Sequence, residues 1–467
     1  MRKEYERYKP TGIEWISQIP AHWDWSFLSQ VASEQKIKKP KDKMYPVMSL
    51  SYGQIIRKKN IDVGLVPASY DNYQFVSNGN IILRFTDLQN DHTSLRTGLV
   101  KEDGIITSAY TNIQPRINSV FLSYLLHAYD TMKIFYGMGG GVRQSIGFKD
   151  VRYLQIPVPP RKEQDQIVRF LDWKVSSINK LISNYRHQIE LFDEMKQRKI
   201  DEAVFKGMRK SKIVHNNDIR WDIDYPEYWQ IRRTRESFSF RKGLSITKAN
   251  LEEAGVAVIS YGQVHSKKNT GFALNEDIFR YVNKSYLETN KNCLVEKGDF
   301  IFADTSEDVI GCGNCVYIDR DETIFAGYHS IIAHPSGSTN NKYLAYLFKS
   351  PTWRYQIRKK VNGVKVYSIT QKMLKDAFIL IPPSDEQEEI ARYLDEICVK
   401  IDAAIQKLEE KISNLHDLKI RLIADTVTGK IDVRNITVPE FEYVDDTADD
   451  DSEDESEENE DCNGEED

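Results

Sequence analysis

The sequence repeats itself once, and this duplication restricts the chain to folds built from two similar halves. Residues 51–60 (SYGQIIRKKN) recur as residues 260–269 (SYGQVHSKKN), with seven of ten positions identical and an offset of 209. A second block, Pro-Pro-x-x-Glu-Gln-x-x-Ile-x-Arg-x-Leu-Asp, occupies residues 159–172 and again 382–395, at an offset of 223. Because the blocks keep their order while the offset grows, the second half is a copy whose middle has gained residues.

Each copy begins near a Pro-x-x-Trp pair, at residues 20–23 and 226–229, and continues through short β-like segments separated by Gly, Asn and Asp. A Pro-Pro pair then ends the β-like part, which covers roughly residues 12–158 in the first copy and 217–381 in the second. Strand-like runs lie at residues 80–85, 104–107, 300–303 and 330–333, and helical patterns lie at 120–132 and 342–348. The pattern predicts a mixed α+β domain in each copy.

A long helix is predicted after each Pro-Pro pair, at about residues 163–205 and 386–427. Neither stretch contains Pro or Gly, and Gly207 and Gly429 stand where helix C-terminal caps are expected. Apolar residues follow the three-four spacing of a coiled coil, at Ile167, Leu171, Val175, Ile178, Ile182, Tyr185, Ile189 and Phe192, and at Ile390, Leu394, Ile397, Ile401, Ile405, Leu408, Ile412 and Leu415. One such stripe cannot be buried alone, and the other copy supplies a matching one.

The predicted fold class is therefore α+β, with two duplicated α/β domains joined by two long helices in an antiparallel coiled coil of pseudo-twofold symmetry. The chain divides into a first domain, a first helix, a second domain, a second helix and an acidic tail that we expect to be disordered, at residues 1–160, 161–208, 209–383, 384–430 and 431–467.

Charge is distributed unevenly along the chain, whose formal net charge is −6. Residues 440–467 hold 17 Asp or Glu and no Lys or Arg; without them, 64 basic residues stand against 53 acidic ones. A body of net charge +11 is compatible with a polyanionic partner. The terminal acidic run fits either a solubility tail or a strip that competes with DNA or contacts a partner.

Duplicated domains at a fixed spacing suit a target that itself has two sites at a fixed distance, and duplex DNA is such a target. A Tyr-Gly-Gln turn would offer an aromatic surface, close backbone approach and an amide that can read adenine, and the basic residues nearby could neutralise phosphates. The alternative is that these are polar turns retained for folding. The candidate DNA-binding residues are Tyr52, Gly53, Gln54, Arg57, Lys58, Lys59, Arg84, Arg143, Gln144, Tyr261, Gly262, Gln263, His265, Lys267, Lys268, Lys360 and Lys365.

The chain resembles the specificity subunit of type I restriction–modification enzymes in residues 11–23 (TGIEWISQIPAHW), in both Pro-Pro-x-x-Glu-Gln blocks and in residues 427–434 (VTGKIDVR). The resemblance covers residues 11–434. It implies two target recognition domains, each reading one part of a bipartite double-stranded DNA site, with the helices setting the spacer. It also implies two methyltransferase (modification) subunits that dock on the helices and use S-adenosylmethionine, and restriction subunits that translocate and cleave. The acidic tail lies outside the family pattern.

An enzyme is the first rival interpretation. Both Pro-Pro pairs lack the preceding Asn and following aromatic residue of an adenine methyltransferase motif, and neither Gly-x-Gly-x-x-Gly nor Gly-Lys-Ser/Thr occurs. We therefore expect no catalytic residues and no cofactor bound by this chain. The spacing of Cys312, Cys315, His329 and His334 fits a zinc finger by count. Because the two His residues lie on a predicted strand rather than on one helix, no metal site is expected.

A coiled-coil scaffold that binds proteins rather than DNA is the second rival, and the salt dependence of binding would distinguish the two. No run of about 18 apolar residues is present, so no membrane span is expected. The charged N-terminus does not resemble a secretory signal, and five cysteines suit a reducing compartment. These features predict a cytoplasmic protein.

Overall fold

A computed structural model describes residues 3–40, 44–51, 53–58, 70, 72–85, 95–138, 146–216, 221–337, 339–363 and 366–445. The chain forms two compact units: unit 1 comprises residues 1–186 and 409–467, and unit 2 comprises residues 187–408. Two long helices, Arg161–Lys206 and Ser384–Val427, each contribute one segment to unit 1 and another to unit 2. The predicted helices are thus confirmed, and each starts two residues before its predicted first residue.

Unit 1 is built on a four-stranded antiparallel sheet of spatial order Ala32–Gln35, Thr111–Pro115, Ile81–Leu83 and Thr97–Leu99. A three-stranded sheet is formed by Gly104–Thr107, Tyr73–Val76 and Ile37–Lys38. Three two-stranded pairs complete the β structure: Tyr8–Ile13 with Ile16–Pro20, Asp24–Phe27 with Gln155–Val158, and Met48–Ser51 with Gln54–Arg57. The helical segments are Leu28–Val31, Ser119–Thr131, the 3-10 turn Ile134–Gly137, and Phe148–Val151.

Unit 2 repeats the four-stranded sheet in the same spatial order, as Phe238–Lys242, Ser330–Pro335, Phe300–Ala303 and Cys315–Tyr317. A five-stranded sheet follows the order Leu251–Glu252, Arg280–Val282, Val256–Ile259, Ile324–Ala326 and Leu294–Val295. Two-stranded pairs join Ile213–Asn216 to Ile223–Pro226, Gln230–Arg233 to Phe378–Ile381, and Thr305–Ser306 to Tyr367–Ser368. We call the part of each unit that lies outside the two long helices its head. The longer helices of the head of unit 2 are Asn341–Lys349 and Pro351–Arg358.

Short helical turns of unit 2 connect these strands. The α-helical turns are Tyr261–Val264, Tyr286–Thr289 and Gln371–Lys375, and the 3-10 turns are Thr234–Glu236, Lys248–Asn250, Glu276–Ile278 and Lys291–Cys293. In both units, the strand that follows the Pro-x-x-Trp motif pairs with the strand that precedes the Pro-Pro pair, so the two ends of each head meet. The duplication read from the sequence is therefore a duplication of fold.

Within each unit, the segments of the two long helices run antiparallel. In unit 1 the Lys419 ammonium donates to the Asn179 side chain at 3.3 Å, and Lys411 lies over the Tyr185 ring. In unit 2 the Lys196 ammonium donates to Asp402 at 2.5 Å. All sixteen residues of the two predicted apolar stripes are buried or half-buried, as a coiled-coil seam requires.

The repeated Glu-Gln block connects each head to the start of its long helix. In unit 1 the buried Glu163 carboxylate accepts hydrogen bonds from the Trp23 indole at 3.0 Å and the Tyr5 hydroxyl at 2.7 Å. In unit 2 the buried Glu386 carboxylate accepts them from the Trp229 indole at 3.1 Å and the Tyr228 hydroxyl at 2.8 Å. The Pro-x-x-Trp motif and the Glu-Gln block are thus two sides of one contact.

The Gln and Asp of the same block bind the head's central helix. Gln164 accepts the backbone N–H of Asn118 at 3.0 Å, and Gln387 accepts that of Asn340 at 2.7 Å. Each of these Asn residues is the N-cap of a helix, Ser119–Thr131 or Asn341–Lys349. Further along, Asp172 accepts the Tyr124 hydroxyl and Asp395 accepts the Tyr346 hydroxyl, at 2.8 and 2.6 Å. One side of each long helix is therefore fixed to its own head.

The two predicted cap glycines pack against these tryptophans. Gly207 has φ +71°, and a Cβ atom there would lie 2.8 Å from the Trp229 ring and 2.6 Å from the Glu386 carboxylate. Gly429 has φ +81°, and its Cβ would lie 2.4 Å from Pro20. Only glycine fits both the left-handed backbone and the space. Each Trp motif thus lies where one long helix begins and the other ends.

The C-terminal segment 431–445 packs against the rest of unit 1, which corrects the prediction of a disordered tail that begins at residue 431. Ile431 and Val433 are buried. The Gln166 amide donates to the carbonyls of Val433 and Ile436 at 3.0 and 2.7 Å, and the Asn179 amide donates to that of Val444 at 3.0 Å. Ile436 and Val438 also pack against the hydrophobic core of unit 1, an apolar signal that the acidic composition obscured. Residues 446–467 lie outside the described part.

We predict that Glu386→Ala lowers the free energy of unfolding by about 2–3 kcal/mol, because two donors, the Trp229 indole and the Tyr228 hydroxyl, lose their acceptor. The measurement is urea unfolding followed by circular dichroism. Glu388→Ala, on the exposed face of the same helical turn, is the control and should change stability by less than about 0.5 kcal/mol. Equal effects of the two substitutions would contradict this role of Glu386.

Candidate functional site

A cleft of about 840 Å³ opens in unit 2, and it collects five of the candidate residues. The short helix Tyr261–Val264 and the residues that follow it form one wall. The opposite wall is the segment 306–314, and Lys349 and Arg354 come from the two helices of the head. The candidate residues in the lining are Tyr261, Gly262, Gln263, His265 and Lys267.

The cleft is positively charged. Five cationic side chains line it, against the two carboxylates of Glu307 and Asp308. The cations come from separate elements of the head, and they are Lys248, Lys267, Arg280, Lys349 and Arg354. A concave surface with this excess of positive charge favours an anionic ligand.

The repeated SYGQ block has different structures in the two units. In unit 2, Ser260 is the N-cap of a helical turn, and the Gln263 side-chain oxygen accepts the Ser260 N–H at 3.1 Å. In unit 1 the same letters connect the strands Met48–Ser51 and Gln54–Arg57, with Gly53 at φ +79°. The residues after the block differ, and Ile55 and Ile56 favour a strand. The predicted turn is thus a hairpin in one copy and a helical turn in the other.

His265 is held by hydrogen bonds from both ring nitrogens. Its Nδ1 accepts the Asn314 amide N–H at 3.1 Å, so Nε2 carries the proton and donates to the Thr305 carbonyl at 2.9 Å. The ring therefore fixes the wall segment 305–314 while it lines the cleft. His265, like Gln263, has a structural role at the position where the sequence predicted a DNA contact.

An aromatic cluster borders the cleft at Tyr261. The Tyr261 ring lies edge-on to those of Tyr328 and His329, with centroids 5.7 and 5.6 Å away. His329 adopts φ +52°, a conformation that non-glycine residues rarely use, and its Nδ1 contacts the Asp304 carboxylate at 3.1 Å. Tyr261 and Tyr328 both line the cleft, and DNA contact by Tyr261 stays a prediction.

The remaining candidates of unit 2 differ in exposure and partners. Lys267 is exposed at the cleft, whereas the Lys268 ammonium pairs with Asp277 at 3.1 Å. Lys360 follows the helix Pro351–Arg358, and its N–H donates to the Ile357 carbonyl at 2.9 Å. Lys365 lies outside the described residues.

In unit 1 the described candidates lie on the hairpin and at the end of a sheet strand. Arg57 forms a bidentate ion pair with Glu102, in which Arg57 Nε donates to Glu102 Oε1 at 2.6 Å. The hydrogen bonds to Glu102 raise the pKa of Arg57. The backbone N–H of Lys58 donates to the Val47 carbonyl at 2.9 Å, and the backbone N–H of Arg84 donates to the Arg96 carbonyl at 2.8 Å. Gly53 and Gln54 form the hairpin itself. Tyr52, Lys59, Arg143 and Gln144 lie outside the described residues.

The zinc-finger spacing does not gather its four residues around one point. His334 Nδ1 contacts Asp299 at 2.6 Å, and His329 contacts Asp304 instead. Burial raises the pKa of the Cys315 thiol to about 12, which opposes the thiolate that zinc requires. Across the described ranges, no group of three or more His, Cys, Asp or Glu side chains is arranged to hold a metal ion.

Sequence reasoning missed four of the five cations of the cleft. Lys248, Arg280, Lys349 and Arg354 come from a 3-10 turn, a strand and two helices, and no motif connects them along the chain. Only the folded head brings them together.

The family model of the type I restriction modification DNA specificity domain matches residues 31–191 and again residues 226–414. These two matches cover most of the chain, once in each copy of the repeat. The chain therefore belongs to the family of type I restriction–modification specificity subunits.

Individual relatives agree with this assignment. The chain is 23% identical over 441 residues to the type I restriction enzyme MjaVIII specificity subunit of Methanocaldococcus jannaschii, covering 90% of this chain and 95% of that protein. It is 23% identical over 288 residues to the EcoKI specificity subunit of Escherichia coli, covering 60% of this chain and 58% of that protein.

A solved structure supports the fold. A chain from a study of complex assembly and conformational transition in the type I R-M system aligns with a TM-score of 0.63 at 17% identity. The alignment covers 88% of this chain and 99% of that chain. Among the described helices, none combines the length and the apolar character needed to cross a bilayer.

We predict that Gln263→Ala lowers the free energy of unfolding by about 1 kcal/mol, because its side-chain oxygen accepts the Ser260 N–H at the start of the helical turn. Gly262→Ala is the matched neighbour: its φ is not positive and an added Cβ meets no atom within 4 Å, so stability should stay equal or rise slightly. Chemical denaturation of both variants is the measurement. The reverse order of stabilities would refute the role of this hydrogen bond.

Proposed function

We propose that this chain selects the DNA sequence on which a type I restriction–modification complex acts, without catalysing a reaction itself. Each head reads one part of a bipartite site in double-stranded DNA. Family membership supports DNA recognition, and the cationic cleft of unit 2 is the observation that carries the proposal for this chain. A protein scaffold would not need this local excess of cations.

The two heads read different half-sites. They share the four-stranded sheet and the contacts of the Glu-Gln block, and these shared parts form a common frame. Between these shared parts they diverge, since the second sheet has three strands among the described residues of unit 1 and five in unit 2, and the SYGQ block changes from a hairpin to a helical turn. Different surfaces on one frame imply different base contacts.

The long helices serve as the docking surface for two methyltransferase subunits, and restriction subunits join that assembly. Family membership supports this proposal, and apolar side chains exposed on these helices are available for contact with a partner. They are Leu181, Leu418 and Ile420 in unit 1, and Leu191, Met195 and Val399 in unit 2. S-adenosylmethionine belongs to the methyltransferase subunits, and this chain supplies no cofactor of its own.

The direct test is DNA binding by the complex of this chain with its modification subunits, measured by fluorescence anisotropy at graded salt. A chain that neutralises six or more phosphates should lose about a thousandfold in affinity between 50 and 200 mM salt. Poly-glutamate at equal charge is the control for nonspecific polyanion binding. Affinity that does not depend on salt, or binding to both polymers alike, would favour the scaffold interpretation.

The helices also set the spacer between the half-sites. Deleting seven residues from each helix at facing positions, 179–185 and 413–419, preserves the heptad register, since Asn179 contacts Lys419 in unit 1. At 1.5 Å per residue the helices shorten by about 10 Å, or roughly three base pairs. We expect a methylated motif with a spacer about three base pairs shorter.

The control for this deletion is the unchanged chain in the same host. Both half-sites should keep their bases, because the heads are not altered. A change in the half-sites, with the spacer length unchanged, would contradict the role of the helices as a ruler.

A further inference from the structure

Two cationic side chains in the cleft of unit 2 have little exposure: Arg354 is buried and Lys349 is half-buried. Lys349 is the last residue of the helix Asn341–Lys349, and Arg354 lies in the next helix, Pro351–Arg358. Arg354 is only 8% exposed, yet both residues line the cleft. A buried charge is costly unless a partner of opposite charge compensates it.

Carboxylates of the described chain do not supply that partner. Neither Lys349 nor Arg354 forms an ion pair with Asp or Glu among the described residues. The Arg354 Nε donates to the Phe348 carbonyl at 3.1 Å, which is a neutral acceptor. Among the described residues, the charges of both groups therefore lack a direct carboxylate partner, and Asp193 acts on Lys349 only from beyond ion-pair distance.

The groups that face these two cations come from three elements. Asp193 and Lys196 face Lys349 from the first long helix, Cys315 faces both cations from its strand, and Arg358 faces Arg354 from the same helix. Burial and the adjacent Arg354 lower the pKa of Lys349 to about 8, with Asp193 opposing the shift. Burial lowers the pKa of Arg354 to about 10. An anion bound between Lys349 and Arg354 would raise the pKa values of both groups.

The backbone around Arg354 fixes its position. Gly313 has φ +87°, and a Cβ atom there would lie 3.3 Å from the Arg354 side chain. The stem of Arg354 is thus packed on a backbone that only glycine readily provides. A guanidinium held in this way keeps its fork oriented before a ligand arrives, which favours binding.

We propose that Lys349 and Arg354 bind one phosphate group of the DNA backbone in the cleft of unit 2. The inference rests on the proposed DNA recognition and names the contact that anchors the second head. An Arg fork together with a Lys ammonium matches the tetrahedral oxygens of a phosphate. Because the contact is to the backbone, it determines affinity and register, and the bases read by the head stay the same.

Lys349 makes this contact sensitive to pH. Well below pH 8 the ammonium is charged in the unbound protein, and the affinity is at its highest. Phosphate binding raises the pKa of Lys349, so the affinity falls as the pH rises above 8 toward the raised value. Between pH 7 and pH 9 the expected loss is up to about tenfold, the change in the protonated fraction of a group with a pKa of about 8.

The experiment measures the affinity of the complex with its modification subunits for DNA that carries its site, at pH 7 and pH 9 and at graded salt. Lys349→Met should weaken binding at pH 7 by roughly tenfold and reduce the salt slope by about one. Lys349→Arg should keep the affinity at pH 7 and lose the decline toward pH 9. Lys284→Met, at an exposed lysine of the same unit outside the cleft, is the control and should match the wild type.

Several outcomes would overturn the proposal. One is a Lys349→Met variant with the affinity and salt slope of Lys284→Met. Should Lys349→Met fail to fold, the comparison of wild type with Lys349→Arg still decides, because equal pH profiles would contradict the role of Lys349. Inorganic phosphate tests whether the site binds a free ion instead of DNA. If phosphate binds the wild type at Lys349 and all variants have the same DNA affinity, the site does not bind DNA. A wild-type complex without DNA affinity would instead refute the proposed function itself.

Discussion

The hydrogen bond from a buried tryptophan indole to a buried glutamate is the interaction on which both halves of the molecule depend. In unit 1 it joins Trp23 to Glu163, and in unit 2 it joins Trp229 to Glu386. Each pair lies where a head meets the first turn of a long helix, and a positive-φ glycine that ends the other helix packs against the same tryptophan. Removing the acceptor would leave a buried donor unsatisfied, so the orientation of the helix to its head depends on this carboxylate.

This shared frame leaves the remainder of each head open to change. The repeated block belongs to a hairpin at Ser51, Gly53 and Gln54 in unit 1 and to a helical turn in unit 2, because the residues that follow it differ. The proposal that the two heads read different half-sites fits this division between a shared support and surfaces that differ between the copies. The cations of the cleft lie outside this shared frame, and the destabilising effect of burying Arg354 without a carboxylate partner is one that an anionic ligand can offset.

The sequence alone predicted the features that repeat or that follow a periodic pattern. The duplicated fold, both long helices and the capping role of Gly207 and Gly429 could all be read from spacing and from the chemistry of glycine. The sequence could not predict that Gln263 is hydrogen-bonded to Ser260. Nor could it predict that His265 is hydrogen-bonded to Thr305 and Asn314, since these contacts depend on the folded head. It also could not assemble Lys349 and Arg354 with Lys248 and Arg280, which are distant along the chain.

The most direct test of DNA recognition by two heads is a map of N6-methyladenine in an unmethylated host that expresses this chain with its modification subunits, obtained by single-molecule sequencing. The account predicts one bipartite motif, with two different specific parts around a spacer of fixed length. A continuous motif, or no new methylation from an intact complex, would contradict it.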